Sequence, residues 1–268
     1  MEFKELIYTK DQGVATIMFN RAPSFNSLAG TMIDEMVLAM EDCRDDPAVR
    51  AVVITGAGKA FCSGGNLVGA KAWMEEGKDP ANYFLDLIKS FHRFITDLRY
   101  LPKPVIASVN GMAAGAGFSI AIACDLRIMS ERASFKLAYT RVTGLVPDGG
   151  WTFFLPRLVG MGLANELLLL DRPIDAAEAL RLGLVTSVVP EAELAQKTRE
   201  MALELAGGPA ESFARAKGLL NTSIGDGLEA QLERERLELG KCAKVPDFRE
   251  AVAAFFDKRP PKFGQKQQ

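Results

Sequence analysis

Two short stretches place glycines where a chain leaves backbone N–H groups open: FCSGGN at 61–66 and AAGAGFS at 113–119. The second lies in VNGMAAGAGFSIAIACDLRI, 109–128, which carries no charge before Asp125. Small side chains let a backbone approach something closely. Backbone donors held in a set geometry stabilise a developing oxyanion without any side chain, and a helix N-terminus supplies them with a favourable dipole. Either stretch alone reads as a tight turn or close helix packing. The pair, each behind a strand-like run, points to oxyanion chemistry.

Nucleotide chemistry fails on spacing. A phosphate-binding loop requires G-x-x-x-x-G-K-[ST], but Gly58-Lys59 is followed by Ala60 and Val53 stands where the first glycine belongs. The dinucleotide pattern G-x-G-x-x-G fails at Phe61 and again at Ile120. The sole histidine, His92, lies in a helical stretch beside Phe91 and reads as a half-buried structural residue, so a serine–histidine–acid relay has no support. A single histidine also removes a histidine metal site, and no metal is expected. Backbone donors and carboxylates remain as the catalytic material.

The elements that position these loops alternate. Runs at 3–9 and 14–19 flank KDQG and read as a hairpin. Met32, Ile33, Met36, Val37, Met40 and Cys43 recur at helical spacing behind Thr31 as N-cap, with Asp34 three residues on. AVVIT at 51–55 is a short strand leading into the loop GAGKAFCSGGN. Residues 83–101 read as a helix closed by Pro102 and Pro104. VIASV is a strand, the small-residue run a turn and helix, and LRIMS a strand. This alternation, to about Val189, argues an α/β fold with parallel pairing. Past Pro190, residues 191–206, 209–221, 228–240 and 248–256 read as helices with no strand among them. Leu203, Leu219, Leu220 and Leu232 need cover there, which suits assembly.

Composition narrows the classes further. With 268 residues, 48% hydrophobic and 25% charged, the chain suits one large globular domain with or without a helical appendage. A net charge of −2, with acids and bases mixed, gives no case for nucleic acid. Cys43, Cys62, Cys124 and Cys242 form no C-x-x-C pair, and free thiols suit a reducing cytoplasm. MEFKELIYTK has no apolar core of a secretory signal. The uncharged run at 104–124 is broken by Pro104, Asn110 and glycines, so no membrane span is expected.

The sequence resembles the crotonase (enoyl-CoA hydratase/isomerase) superfamily over nearly its whole length. The matching segments are, in order, NRAPSFNSL, GAGKAFCSGGNL, KPVIASVNGMAAGAGFSIAIACDLRI, GLVPDGGWTFFLPRLVG, AAEALRLGLV and FFDKRPPKF. The resemblance implies an α/β spiral of ββα units over 1–200 that carries the thioester site. It implies a helical C-terminal trimerisation region over 201–268, usually assembled as a dimer of trimers, hence a hexamer. The implied substrate is an acyl-CoA thioester, with coenzyme A as part of the substrate and no permanently bound cofactor. The backbone N–H groups of Gly65 and Ala116 would hold the thioester oxygen, each such donor contributing roughly 3–4 kcal/mol to the transition state in comparable sites. Coenzyme A would lie across Ser24, Phe25 and Ser63, with Asn66 and Leu67 beside the first loop. Arg259, Lys262 and Phe263 would reach its nucleotide end, from this or a neighbouring subunit. A lysine that some relatives use for phosphate is Val68 here.

Family hydratases use two glutamates. Their positions fall on Ser119 and near Tyr139, which stay as substrate-binding candidates because neither is a carboxylate. Residues 133–147 hold no Asp or Glu, and the next acid is Asp148 in GLVPDGG. In relatives that shift double bonds, including the epoxyphenylacetyl-CoA isomerase branch, an aspartate at this place carries the chemistry. A setting of Leu145, Val146, Trp151 and Phe118 would raise its pKa above about 3.9 and make it a better base. The competing reading of Asp148 is an N-cap before GGWTFFL. Asp125 reads as a structural cap, and Glu75 and Glu76 are outside candidates. Three functions stay open: an isomerase of aliphatic or ring-derived acyl-CoA in lipid metabolism, a hydratase (lyase) of 2-enoyl-CoA, and a non-catalytic acyl-CoA-binding scaffold.

Overall fold

In the computed structural model, which describes residues 2–264, pairs of strands recur ahead of helices. β1 (Leu6–Asp11) and β2 (Val14–Phe19) form an antiparallel hairpin, and α1 (Gly30–Asp45) follows. Three ββα units come next. The first is β3 (Ala51–Gly56), β4 (Ala60–Cys62) and α2 (Leu67–Glu75), extended by α3 (Pro80–Tyr100). The second is β5 (Val105–Val109), β6 (Met112–Ala114) and α4 (Ala116–Ala123). The third is β7 (Leu126–Ser130), β8 (Ser134–Lys136), a long loop, then α5 (Trp151–Val159) and α6 (Met161–Leu170). β9 (Ile174–Asp175), α7 (Ala176–Arg181) and β10 (Ser187–Val189) follow. Four helices end the described chain: α8 (Leu194–Ala206), α9 (Ala210–Thr222), α10 (Leu228–Cys242) and α11 (Pro246–Asp257).

The first strand of each unit joins a six-stranded sheet ordered β1-β2-β3-β5-β7-β10, and the second joins a four-stranded sheet ordered β4-β6-β8-β9. Successive units pair in parallel in both sheets. The chain therefore advances one strand in each sheet per unit, which is the expected α/β spiral. Parallel strands covered on both faces must be apolar throughout, and all five residues of β5 are buried. On one face Ile17, Val52 and Ile54 meet Met36, Phe94 and Leu98 of α1 and α3. On the other, Leu194, Ala202 and Ala206 of α8 cover Val14, Val53, Ile106 and Ile128. The boundary expected between 200 and 201 falls inside α8, whose last turn still packs on the sheet.

Several local expectations change. The hairpin turns on Gln12 and Gly13 alone, at φ of 49° and 81°, as a two-residue type I′ turn requires. Thr31 does not cap α1, which starts one residue earlier; its Oγ1 donates to Glu5 Oε2 at 2.7 Å. α3 begins at Pro80, capped by Asp79, whose Oδ1 accepts the Ala81 N–H at 2.9 Å. The four-stranded sheet had no counterpart in the reading of strand periods, because strands of two or three residues are too short to show one. The uncharged run at 104–124 is divided among β5, β6 and α4. Among the described residues no helix is long and apolar enough to cross a membrane.

Candidate active site

The loops after β4, β6 and β8 leave adjacent parallel strands at the same end, so the spiral gathers them side by side. Two glycines set how closely. A Cβ on Gly117 would lie 2.1 Å from the Cys62 carbonyl oxygen. Gly64, at φ +95°, would place one 2.9 Å from the Ala114 oxygen and 3.3 Å from the Ala116 nitrogen. The small residues thus serve backbone-on-backbone packing, and through it they bring the two donor loops together.

Both donors are open. Leu28 bridges across Gly65: its N–H donates to the Gly64 oxygen at 2.8 Å, and its carbonyl accepts the Asn66 N–H at 3.0 Å. A parallel bridge uses these flanking groups and leaves the N–H of Gly65 itself facing away. Ala116 is the first residue of α4 and has no intrahelical acceptor. Among the described residues neither N–H has a partner. Two asparagines to which sequence reasoning gave no site role hold the β3–β4 connection that leads into the first donor loop. Asn26 Nδ2 donates to the carbonyls of Ala57 and Ala60 at 2.9 and 2.8 Å, and Asn110 Nδ2 donates to that of Gly58 at 3.0 Å. They satisfy carbonyls that no ladder reaches, and such a role leaves no period in a sequence.

A cavity of about 440 Å³ opens beside these loops, with Gly65, Tyr139 and Asp148 among its lining. Phe84, Ile88 and His92 form one wall, four residues apart on a single face of α3. That spacing was present in the sequence as a signal, but it did not say which cavity the face would meet. His92, expected to be half-buried, is exposed to this cavity, and its Nε2 accepts the Gly149 N–H at 3.3 Å. Leu145 and Val146 line the space as expected. Trp151 and Phe118 do not; they pack edge to face in the core behind it.

Among the described lining residues Asp148 is the one carboxylate. It is not a helix cap: no side chain caps α5, and the Trp151 N–H goes to the backbone oxygen of Asp148 at 3.2 Å. Its Oδ1 accepts from the Tyr139 hydroxyl. Ser119, fully buried, donates from Oγ to the Asp148 backbone oxygen at 2.8 Å. Burial pushes the Asp148 carboxyl above its ordinary value, while the Tyr139 hydroxyl and the neighbouring His92 pull it back. Burial and then the adjacent carboxylate push the Tyr139 phenol well up, so it stays a donor. One partly desolvated base thus shares a mostly apolar cavity with two open backbone donors. That arrangement can move a proton beside a carbonyl whose oxygen is held.

Other candidates are placed as follows. Ser63 donates its N–H to the Phe25 oxygen at 3.0 Å and its Oγ to the Ser24 oxygen at 3.4 Å, so these three lie together beside the first loop. Asn66 caps α2, its Oδ1 accepting the Val68 N–H at 3.1 Å, and Leu67 lines the cavity. Lys262 and Phe263 are not brought there. Gly264 lies against the Arg50 guanidinium, and Lys262 donates its N–H to Glu250 Oε1 at 2.8 Å. Arg50 precedes the start of β3, whereas the donor loops follow the strand's other end. Arg259 is paired with Glu250 at 2.6 Å. Asp125 is structural, though not a helix cap: Oδ2 accepts the Val105 N–H at 2.9 Å and Lys217 Nζ at 2.7 Å, tying β5 to α9. Glu75 and Glu76 do not line the cavity; they pair with Lys71 and Lys78.

Comparison with known proteins now bears on this site. The family model described as Enoyl-CoA hydratase/isomerase matches residues 9–266. A Rhodobacter capsulatus protein named "Probable enoyl-CoA hydratase" is 38% identical over 98% of this chain and 99% of its own. The 1,2-epoxyphenylacetyl-CoA isomerase of Escherichia coli K12 is 34% identical over 98% of both chains. The crystal structure of an enoyl-CoA hydratase/isomerase from Cupriavidus metallidurans CH34 matches with a TM-score of 0.90 at 34% identity. That match covers 100% of this chain and 99% of the other. Likeness that spans the chain from end to end, in sequence and in fold, assigns it to the enoyl-CoA hydratase/isomerase family, the crotonases.

Proposed function

We propose that the chain is an acyl-CoA isomerase, which shifts a double bond or rearranges a ring-derived acyl group through an enolate. The observation that carries this is the solitary carboxylate, Asp148, in a cavity next to two unpartnered backbone donors. In this reading the thioester oxygen accepts from the N–H groups of Gly65 and Ala116, which stabilise negative charge as it develops there. Asp148 takes a proton from the α- or γ-carbon, the π electrons shift along the framework, and the same carboxyl returns the proton at the other end. The base is regenerated, and no water is activated.

Coenzyme A enters as part of the substrate and not as a resident cofactor. We place it along Ser24, Phe25, Ser63 and Asn66, with the acyl group against Leu67, Ser119 and Tyr139. Because Lys262 and Phe263 lie at the far end of β3, their proposed contact is with the nucleotide end bound by a neighbouring chain. The proposed assembly is a hexamer, a dimer of trimers built on the C-terminal helices. Cys43, Cys62 and Cys124 are free and buried, their thiols pushed up to about 11, 12 and 12, which suits the reducing cytoplasm we infer.

The test is to incubate the protein with 3-enoyl-, 2-enoyl- and 1,2-epoxyphenylacetyl-CoA and identify products by mass and NMR. A product of unchanged mass is expected in ordinary water, and in heavy water deuterium is expected to enter it as the proton held by Asp148 exchanges with solvent. Asp148→Asn abolishes both, whereas Ser119→Ala is much milder, since a neutral hydroxyl is no strong base without a basic partner. A gain of one water would give a hydratase. No turnover of any of the three would give a binding scaffold.

A further inference from the structure

The geometry points to His92 as a positioning residue: it holds the peptide that carries Asp148 by accepting the Gly149 N–H. The peptide unit between Asp148 and Gly149 is gripped on both sides. Its carbonyl accepts from Ser119 Oγ at 2.8 Å, and its N–H donates to His92 Nε2 at 3.3 Å. The next two residues are Gly149 and Gly150, both at positive φ, 59° and 78°. Glycine pairs leave a backbone many alternatives, so a base mounted directly before them is loosely aimed unless its peptide is fixed from outside. Space around Gly149 is also closed: a Cβ there would lie 2.6 Å from the Phe91 ring and 2.8 Å from Ser119. The hold therefore comes from α3 and α4 together, and the Tyr139 hydroxyl then fixes the carboxyl itself.

An acceptor at Nε2 places the neutral imidazole's proton on Nδ1. An imidazolium has no lone pair and would turn a donor against the Gly149 N–H, so the hold exists only for the neutral ring. The titratable groups that share the cavity with His92 are Asp148 and Tyr139. α2 contributes the uncharged Leu67 there, and the residue leading into α4 is Gly115. On α3 itself Lys89 lies one turn before, and Arg93, the next residue, pairs with Glu41 and Asp97. This positioning role rests on Asp148 being the base of the proposed reaction.

Two variants and one spectrum test it. His92→Gln carries an amide oxygen close to the position of Nε2 and does not titrate. It is expected to keep kcat on the plateau within about threefold, since the neutral hydrogen bond is retained. His92→Leu removes the acceptor and is expected to lower kcat about tenfold with KM little changed, the cost of a lost bond and a misaimed base. Wild-type kcat in His92→Leu would overturn the proposal, as would a rise in KM alone. His92→Gln falling as far as His92→Leu would also overturn it, because the imidazole would then act as more than an acceptor. His92 is the only histidine, so its ring gives a single set of ¹⁵N resonances. Above neutral pH those should report a proton on Nδ1; a proton on Nε2 overturns the proposal whatever reaction the enzyme catalyses.

Discussion

A carboxyl that must both take and return a proton works only if neither state is held too firmly. Around Asp148, burial favours the neutral acid and the Tyr139 hydroxyl favours the ionised form. Tyr139→Phe keeps the buried ring and removes the donor. It is expected to raise the Asp148 pKa further, so the acid limb of kcat moves to higher pH; an unmoved limb in a pH–rate profile would deny the contact this role. Stability carries its own sign. The folded pKa of Asp148 lies above its ordinary value of 3.8, so the native state holds that proton more tightly than the unfolded chain does. The penalty of the buried charge is absent below that value and complete once pH exceeds the folded pKa. Asp148→Asn, inactive, is therefore expected to melt like wild type in acid and above it at neutral pH. Each kcal/mol of relieved penalty corresponds to roughly 2–4 °C in a chain of this size. A variant that melts lower at neutral pH would show that the carboxylate stabilises the loop.

Between α4 and the end of β4 the fit is set by backbone, not by side chains that could turn aside. The 2.1 Å from a Cβ on Gly117 to the Cys62 oxygen leaves no relief except movement of the helix. Gly117→Ala is expected to cost about 1–3 kcal/mol, as overpacking does in well-packed interiors. It also draws the Ala116 N–H away from the loop of Gly65. Misplaced donors lose much of their effect on the transition state, so kcat should fall at least about tenfold. Urea unfolding and steady-state kinetics on one preparation check both halves. A variant that loses stability and keeps its rate would show that the donor pair tolerates separation of the loops.

The C-terminal helices leave large apolar groups uncovered. α9 and α10 bury no residue within one chain, and Phe255 and Phe256 of α11 are 78% and 77% exposed. Adjacent exposed aromatic rings on this helix suit the proposed assembly, in which other chains would cover them. Light scattering is expected to give about 175 kDa, six chains of 29.1 kDa. A monomer mass across micromolar concentrations would sink the assembly. Phe255→Asp combined with Phe256→Asp should lower the mass and also weaken thioester binding, because Lys262 and Phe263 follow directly and are proposed to serve a neighbour's site.

Much of this was legible in the residues. Apolar runs separated by helical periods marked β1, β2, β3, β5 and β7 of the large sheet, though not the three-residue β10, and the strand-free tail past Pro190. The glycine-bearing loops stood out because tight approach demands glycine wherever it occurs. Asp148 stood out because no other acid occupies 133–147. What the residues did not disclose depends on which distant segments meet. The strands of the four-stranded sheet, such as β4 and β6 with three residues each, are recognised by their partners and not by a pattern of their own. His92 on its helix looked structural, and only the stacking of the third unit brought Gly149 against its ring. Trp151 and Phe118, expected in the cavity, went to the core, and Lys262 went to the far end of β3. Periodicity states which face of an element is buried; what that face is buried against is decided by the long-range pairing of strands, and that exists only in the folded chain.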